Sequence, residues 1–187
     1  MTSAAETPVR AYREGLTERT LARLAQLARE IPADASPSEV GMTIGAAYVE
    51  LFDAWYCRFW WVDDAREVAR VIAHYPAREF KESWEHEKRL DVTEGDDKSL
   101  VALVIGSGEA RIERDAAEIK DGEIRFATVY GVQSGCHFPL IVQGTTMGDM
   151  VMTSQEERQH FAPADRDLIQ VMANFAASAI ALAQARS

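Results

Sequence analysis

The stretch that decides the fold is FPLIVQGTTMGDMVMT, residues 138–153. It begins with an apolar segment that ends at Val142 and is followed by Gln143-Gly144, a dipeptide suited to a two-residue hairpin turn. A second segment rich in apolar residues follows the turn, up to Thr153. The sequence therefore predicts a β-hairpin near the end of the chain.

A two-residue turn also predicts which side chains share a face of this hairpin. Val142 would pair with Thr145, and the next pairs on that face would be Leu140 with Met147 and Phe138 with Asp149. One face is then expected to carry Ser134, Cys136, Phe138, Leu140, Met147, Asp149, Val151 and Thr153. The opposite face would carry His137, Gly148, Met150 and Met152, packed against helices.

Two helices are predicted ahead of the first strand. Apolar residues recur at helical spacing over residues 17–30. Ser36, Pro37 and Glu39 then form the pattern of a capping box with proline at the first helical position, which predicts a second helix up to about Phe52. Gly41 and Gly45 share one face of that helix, where close packing against another element would explain them.

The rest of the chain is predicted as short elements and one long helix. A strand over 54–62 is followed by a turn at Asp63-Asp64 and a second strand over 67–75. A polar and helical stretch over 78–90 leads to a helix from Asp96 through Val104, which is stopped by Gly106-Ser107-Gly108. An edge strand over 109–114, a short helix and loop over 115–130, and a final helix over 163–185 complete the chain. Residues 1–15 are predicted to be a disordered tail, and 16–187 a single domain.

Three motifs near the C-terminus resemble those of the GAF domain family. They are Ser134 followed by Phe138-Pro139-Leu140, Met147-Gly148 followed by Met150 and Met152, and Phe161-Ala162-Pro163-Ala164-Asp165 leading into an alanine-rich helix. The segment 108–115 adds a weaker match. The resemblance covers about residues 16–186 and implies an α+β fold: a six-stranded antiparallel sheet with the N- and C-terminal helices on one face and a ligand on the other, under short helices and loops.

The resemblance implies a small-molecule-binding sensory and regulatory domain that signals through helix-mediated dimerisation. Apolar residues of the final helix cover more than one face, which predicts a homodimer through the terminal helices. Signatures of the cyclic-nucleotide-binding and bilin-binding members are absent, since the only asparagine is Asn174 and Cys136-His137 lies too close to Pro139. No cofactor, metal site or catalytic constellation is predicted.

Asp149 and Arg58 are the leading candidates for a binding site. A carboxylate inside an apolar strand needs a partner, and Arg58 lies in mid-strand with Tyr56 and Trp60 on its own face. The expected pocket uses Arg58 for an anionic group, Asp149 as an acceptor and the aromatics for stacking. The full set of candidate ligand-binding residues is Tyr56, Arg58, Trp60, Ser134, Cys136, Phe138, Asp149, Val151 and Thr153. A structural ion pair is the other interpretation of Arg58 and Asp149.

Three alternatives stay open from the sequence. Trp55, Tyr56, Trp60 and Trp61 could form an aromatic cage for a cation, although a core or dimer interface is the more common use of such a cluster. Cys57 and Cys136 could serve a thiol-based redox enzyme similar to the methionine sulfoxide reductases of the GAF fold, although that group has a third cysteine. A protein-interaction module without a ligand is the third.

Composition excludes several classes of function. The chain has 187 residues, 47% of them hydrophobic, and a net charge of −10, which argues against nucleic-acid binding. No apolar run reaches the roughly 18 residues of a membrane-spanning helix. With two cysteines and no signal peptide, a cytoplasmic protein is expected, acting through a small-molecule ligand and a signalling partner protein.

Overall fold

The computed structural model describes residues 15–77, 87–90, 99–113, 124–155 and 161–187. Within these ranges the helices are α1 (Leu16–Glu30), α2 (Pro37–Phe52), α3 (Leu100–Ser107), α4 (Ile124–Tyr130) and α5 (Arg166–Gln184), with a 3₁₀ turn over Pro163–Asp165 before α5. The strands are β1 (Tyr56–Val62), β2 (Val68–Tyr75), β3 (Glu87–Arg89), β4 (Arg111–Glu113), β5 (Ser134–Val142) and β6 (Thr145–Ser154).

The strands form one six-stranded sheet in the order β3-β2-β1-β6-β5-β4, and all neighbouring strands are antiparallel. The predicted α+β architecture is confirmed. The first and last strands lie side by side at the centre of the sheet, so that side chains from both ends of the chain meet there.

Helices α1, α2 and α5 cover one face of the sheet, which we call the helix face. Its core contains Leu27, Tyr48, Phe59, Met150 and Met172, all essentially inaccessible to solvent. The Tyr48 hydroxyl donates a 2.7 Å hydrogen bond to the Met172 carbonyl oxygen and so joins α2 to α5. Burial of this apolar layer is the main source of stability in such a fold.

The predicted cap and glycine packing of α2 are confirmed. The Glu39 amide donates to the Ser36 side chain, and the Ser36 amide donates to the Glu39 carboxylate at 2.8 Å. A methyl group at Gly41 would lie 2.4 Å from the Ala73 Cβ, and one at Gly45 would lie 3.2 Å from the Tyr75 Cβ. The missing side chains therefore let α2 approach β2 closely.

The terminal hairpin turns where the sequence predicts, but its register was predicted wrongly. Gln143 and Gly144 have positive φ values of 49° and 80°, and Val142 pairs with Thr145. The pairing then shifts, because Ile141 pairs with Thr146 whereas Leu140 pairs with Gly148. Met147 is the extra residue of a β-bulge, and beyond it every residue of β5 faces a partner one position later than predicted.

The remaining predicted elements agree with the structure where it describes them. The observed bounds lie close to the predicted ones for the strands, including the edge strand β4, and for the last helix. They also do so for the end of α3, which Gly108 caps. The helical prediction for 78–90 is wrong at its end, where Glu87–Arg89 form β3. The predicted helix start at Asp96 and the predicted tail before Gly15 lie outside the described residues. None of the described helices has the length and hydropathy to cross a bilayer.

Candidate functional site

Helices α3 and α4 lie against the sheet face opposite the helix face, which we call the pocket face. Two small apolar clusters form beneath them. One joins Val101 and Ile105 of α3 to Trp60 and Val151, and the other joins Tyr56 and Val132 to Ala127 and neighbouring aromatics. A pocket lies between these clusters.

The alternation of β1 determines what reaches this pocket. Tyr56, Arg58 and Trp60 project to the pocket face, whereas the intervening Cys57, Phe59 and Trp61 belong to the core of the helix face. The prediction that Tyr56, Arg58 and Trp60 share a face is confirmed.

The pocket has about 450 Å³ of empty space, counting the part that is open to solvent. Its floor is formed by β1, β6 and β5, its edge by β4, and its sides by α3, α4 and the start of β5. It is lined by Tyr56, Arg58, Trp60, Val101, Glu113, Ala127, Val132, Gly135, His137, Val151 and Thr153.

Arg58 lines the pocket and is only 4% exposed. Its Nε donates a 2.9 Å hydrogen bond to the Tyr56 hydroxyl. The guanidinium carbon lies 5.1 Å from the centroid of the Tyr56 ring and 5.4 Å from that of Trp60. Two aromatic rings and a hydrogen bond thus fix the orientation of a buried cation, which is an arrangement suited to recognising an anionic group.

Asp149 faces the same side of the sheet as Arg58 but bonds to a residue that the sequence analysis placed elsewhere. Its Oδ2 lies 2.6 Å from Nδ1 of His137, and both side chains are buried. The expectation that His137 faces the helices is wrong, because the bulge at Met147 brings His137 opposite Val151 on the pocket face. A hydrogen bond of this length holds the imidazole ring in one orientation at the pocket wall.

Three predicted ligand-binding residues lie on the other face. Cys136 and Phe138 belong to the core beneath the helices, and Ser134 has the same parity along β5. Their predicted place beside Asp149 is wrong for the same reason, since the bulge reverses the two faces of β5 relative to β6. Val151 and Thr153 do line the pocket, as predicted.

Thr153 and Gly135 give the floor of the pocket an open polar region. The Thr153 side chain is buried, and its Oγ1 has no hydrogen-bond partner in the described part of the chain. Gly135 pairs with Thr153, and a methyl group there would lie 3.6 Å from Thr153 Cγ2 and 3.8 Å from Glu113 Oε2. The absence of a side chain at Gly135 leaves this part of the floor empty. Sequence reasoning missed Gly135, Glu113 and His137. The correct hairpin register would have identified Gly135 and His137, whereas Glu113 depends on the pairing of β4 with β5.

The two cysteines are buried on the helix face. Cys57 and Cys136 each pair with Met152, from opposite sides of β6. Two strand spacings separate their Cα atoms by about 10 Å, beyond the roughly 7 Å limit for a disulfide. Burial raises the pKa of both thiols, so that reactive thiolates are disfavoured.

The four aromatic residues of β1 and its approach do not form one cage. Trp61 belongs to the helix face and Trp60 to the pocket face. Trp55 packs against Tyr56 and Tyr130, with ring centroids 5.6 and 6.0 Å apart. Within the described ranges, no group of three or more histidine, cysteine and acidic side chains is arranged to hold a metal ion.

Comparisons with known proteins agree with this fold. A family model described as "GAF domain" matches residues 42–182. The GAF domain of a phosphoenolpyruvate-protein phosphotransferase from Coxiella burnetii superposes with a TM-score of 0.72 at 20% identity, covering 91% of this chain and 97% of that one. The corresponding domain from Acinetobacter gives 0.68 at 16% identity, covering 89% and 95%.

A free methionine-R-sulfoxide reductase from Neisseria meningitidis, in complex with its substrate, gives a TM-score of 0.67 at 15% identity, covering 96% of this chain and 94% of that one. Comparison with curated proteins gave no match. At these identities the structural neighbours show the fold alone. The family model spans three quarters of the sequence, and the chain accordingly belongs to the GAF domain family.

Proposed function

We propose that this protein is a sensor that binds a small polar or aromatic metabolite in the pocket between β1, β6 and β5. The observation that carries the proposal is the buried Arg58, which lines the cavity and is oriented by Tyr56 and Trp60. A guanidinium held in this way presents N–H donors in a fork that matches carboxylate and phosphate groups. The adjoining His137–Asp149 pair and the Thr153 hydroxyl supply further polar groups for a ligand.

The pocket and the helix face share the two central strands. Within β1, Trp60 lines the pocket while Phe59 and Trp61 pack beneath the helices. A shift of β1 or β6 on ligand binding would therefore change the packing of α2 and α5. We propose that this coupling transmits occupancy of the pocket to a partner as a population shift between two arrangements.

A pocket-filling variant tests the binding proposal. Val151→Phe places a ring on the pocket floor, and Val129→Phe, at a valine that is 61% exposed on α4, is the matched control. In a thermal-shift screen of amino acids, organic acids and nucleobases, a ligand at 100 times its Kd should stabilise the wild type by about 2.7 kcal/mol. For a domain of this size that corresponds to a Tm increase of roughly 5–10 °C.

The same ligand should leave Val151→Phe unshifted and should shift Val129→Phe as much as the wild type. A ligand that stabilises Val151→Phe equally would place its binding site elsewhere. If no compound stabilises the wild type, a protein-interaction module with no ligand becomes the better account.

We also propose that the protein forms a homodimer through α5 and α1. The buried side of α5 faces its own sheet, and a second apolar stripe, partly or fully exposed, runs along the helix at spacings of three and four residues: Leu168, Val171, Phe175, Ala179 and Leu182. Val171 is 47% and Leu182 51% exposed, and Leu21 of α1 is 53% exposed. Such spacing is typical of a helix that packs against a second helix.

Charges placed on this outer stripe should dissociate the dimer. We expect the wild type to have twice the 20.8 kDa mass of the chain by light scattering, and Val171→Glu/Leu182→Glu to have the single mass. Because both side chains are exposed, the variant should remain folded. Thr145→Glu, at the exposed end of the hairpin, adds the same kind of charge away from α5 and should stay dimeric. A wild-type monomer at high micromolar concentration would contradict the proposal.

A further inference from the structure

The register of the sheet brings basic residues from four strands into one row on the pocket face. Arg58 pairs with His74 of β2 and with Val151 of β6. Val151 pairs in turn with His137 of β5, which pairs with Arg111 of β4. Paired residues share a face of the sheet, so the row on the pocket face reads His74, Arg58, Val151, His137, Arg111, and its three central members line the pocket.

Val151 lies at the centre of this row and is its one member without a basic side chain. Strands are about 4.8 Å apart, so Arg58 and His137 flank Val151 with their Cα atoms roughly 10 Å from each other. The small side chain of Val151 leaves space above it, within reach of the long side chain of Arg58.

Two acidic side chains that the structure describes on this face lie beside the row. Asp149 bonds to His137 at 2.6 Å, and Glu113 lies at the edge of the pocket near Gly135. Thr153 is the next residue of β6 on this face after Val151. Its buried Oγ1, which has no hydrogen-bond partner in the described ranges, adds a donor beside the space above Val151.

This arrangement disfavours a cationic ligand. The faces of Tyr56 and Trp60 that could attract a cation already have the Arg58 guanidinium beside them. A second cation in the same space would be repelled, whereas an anion would be attracted by the guanidinium and could accept hydrogen bonds from it.

We propose that the pocket is an oxyanion site for a small organic acid, a carboxylate or a phosphate ester. The acid group lies above Val151 between Arg58 and His137 and accepts hydrogen bonds from Arg58 and Thr153. The apolar body of the ligand packs against Trp60 and Val101. This proposal rests on the proposed function and specifies the chemistry of its ligand.

Three probes with one aromatic body and different head groups test the proposal: benzoate, phenyl phosphate and benzamide. In an NMR titration of ¹⁵N-labelled protein, at least one anion should shift the amides of Val151 and Thr153 and bind about tenfold or more tightly than neutral benzamide. The ratio between benzoate and phenyl phosphate shows which acid the site prefers.

Substitutions test which residues produce the preference for anions over benzamide. Arg58→Gln should weaken the preferred anion about tenfold or more and leave benzamide unchanged, and Thr153→Val should weaken the anion about threefold. Arg29→Gln removes the same charge from the exposed side of α1 and should change nothing. Should Arg58→Gln fail to fold, Arg58→Lys retains the charge and should keep the preference for anions while binding them more weakly.

The possible failures are distinguishable. Equal binding of benzamide and the anions at Val151 would overturn the oxyanion proposal and leave the pocket as a ligand site. An anion preference that survives in both Arg58→Gln and Thr153→Val would overturn it as well. No shift of pocket amides by any of the probes would count against both this inference and the proposed function.

Discussion

Replacing Asp149 by alanine is expected to lower the free energy of unfolding by about 3 kcal/mol, the upper end of the usual cost of leaving a buried hydrogen-bonding group without its partner. The carboxylate is fully buried and lies 2.6 Å from His137 Nδ1, and His137 itself is only 4% exposed. The alanine variant would leave that imidazole in a low-dielectric wall without the carboxylate that orients it. Urea unfolding of both proteins measures the difference.

Two companion variants distinguish the loss of the hydrogen bond to His137 from the loss of side-chain volume. Asp149→Asn retains an oxygen that can accept from Nδ1, so its loss should be about 1–2 kcal/mol. In the double variant Asp149→Ala/His137→Leu the buried imidazole is gone too, and the total loss should be smaller than the sum of the two single losses. Additive losses would show that the two side chains do not stabilise each other.

Gly148→Ala is expected to cost about 3 kcal/mol, the upper part of the usual range for overpacking. A methyl group at this position would lie 2.0 Å from the Trp60 carbonyl oxygen and 3.1 Å from Leu140 Cδ1. The nearest atom belongs to the backbone of the neighbouring central strand, so relief requires β1 and β6 to move apart. The midpoint of urea unfolding measures this cost.

Gly135→Ala is the matched control in the same hairpin. The nearest atom to a methyl group at Gly135 is the Met152 carbonyl oxygen at 3.5 Å, an ordinary contact. We expect a change below about 1 kcal/mol, since neither glycine has a positive φ and only the steric contact differs. Equal losses at Gly148 and Gly135 would show that β1 and β6 are not as closely packed as the structure has them.

Much of the fold follows from local patterns. The cap of α2 is specified by Ser36, Pro37 and Glu39, the close approach of α2 to the sheet by Gly41 and Gly45, and the final turn by Gln143-Gly144. In each case the residues that specify the element are the same few residues whose backbone forms it. Such elements can be predicted from one sequence because tertiary contacts only reinforce them.

The site depended on a feature that the sequence does not specify locally. The bulge at Met147 arises where the Gly148 backbone approaches Trp60, a contact between strands that lie far apart in the chain. The sequence does not reveal that contact and therefore predicts a regular register for the hairpin. A regular register places Cys136 and Phe138 beside Asp149 and puts His137 on the helix face. Alternation along a single strand is enough to predict which side chains share a face. The predicted faces are therefore correct for Tyr56, Arg58 and Trp60 in β1 and for Asp149, Val151 and Thr153 in β6.

The central claim, that the pocket between β1, β6 and β5 holds a small molecule, is tested most directly by native mass spectrometry of protein purified quickly from cells. We expect the wild type to carry an additional discrete mass, and Val151→Phe, prepared in the same way, to lack it while Val129→Phe retains it. The same added mass on Val151→Phe would contradict the claim, because the ligand would then bind outside the pocket.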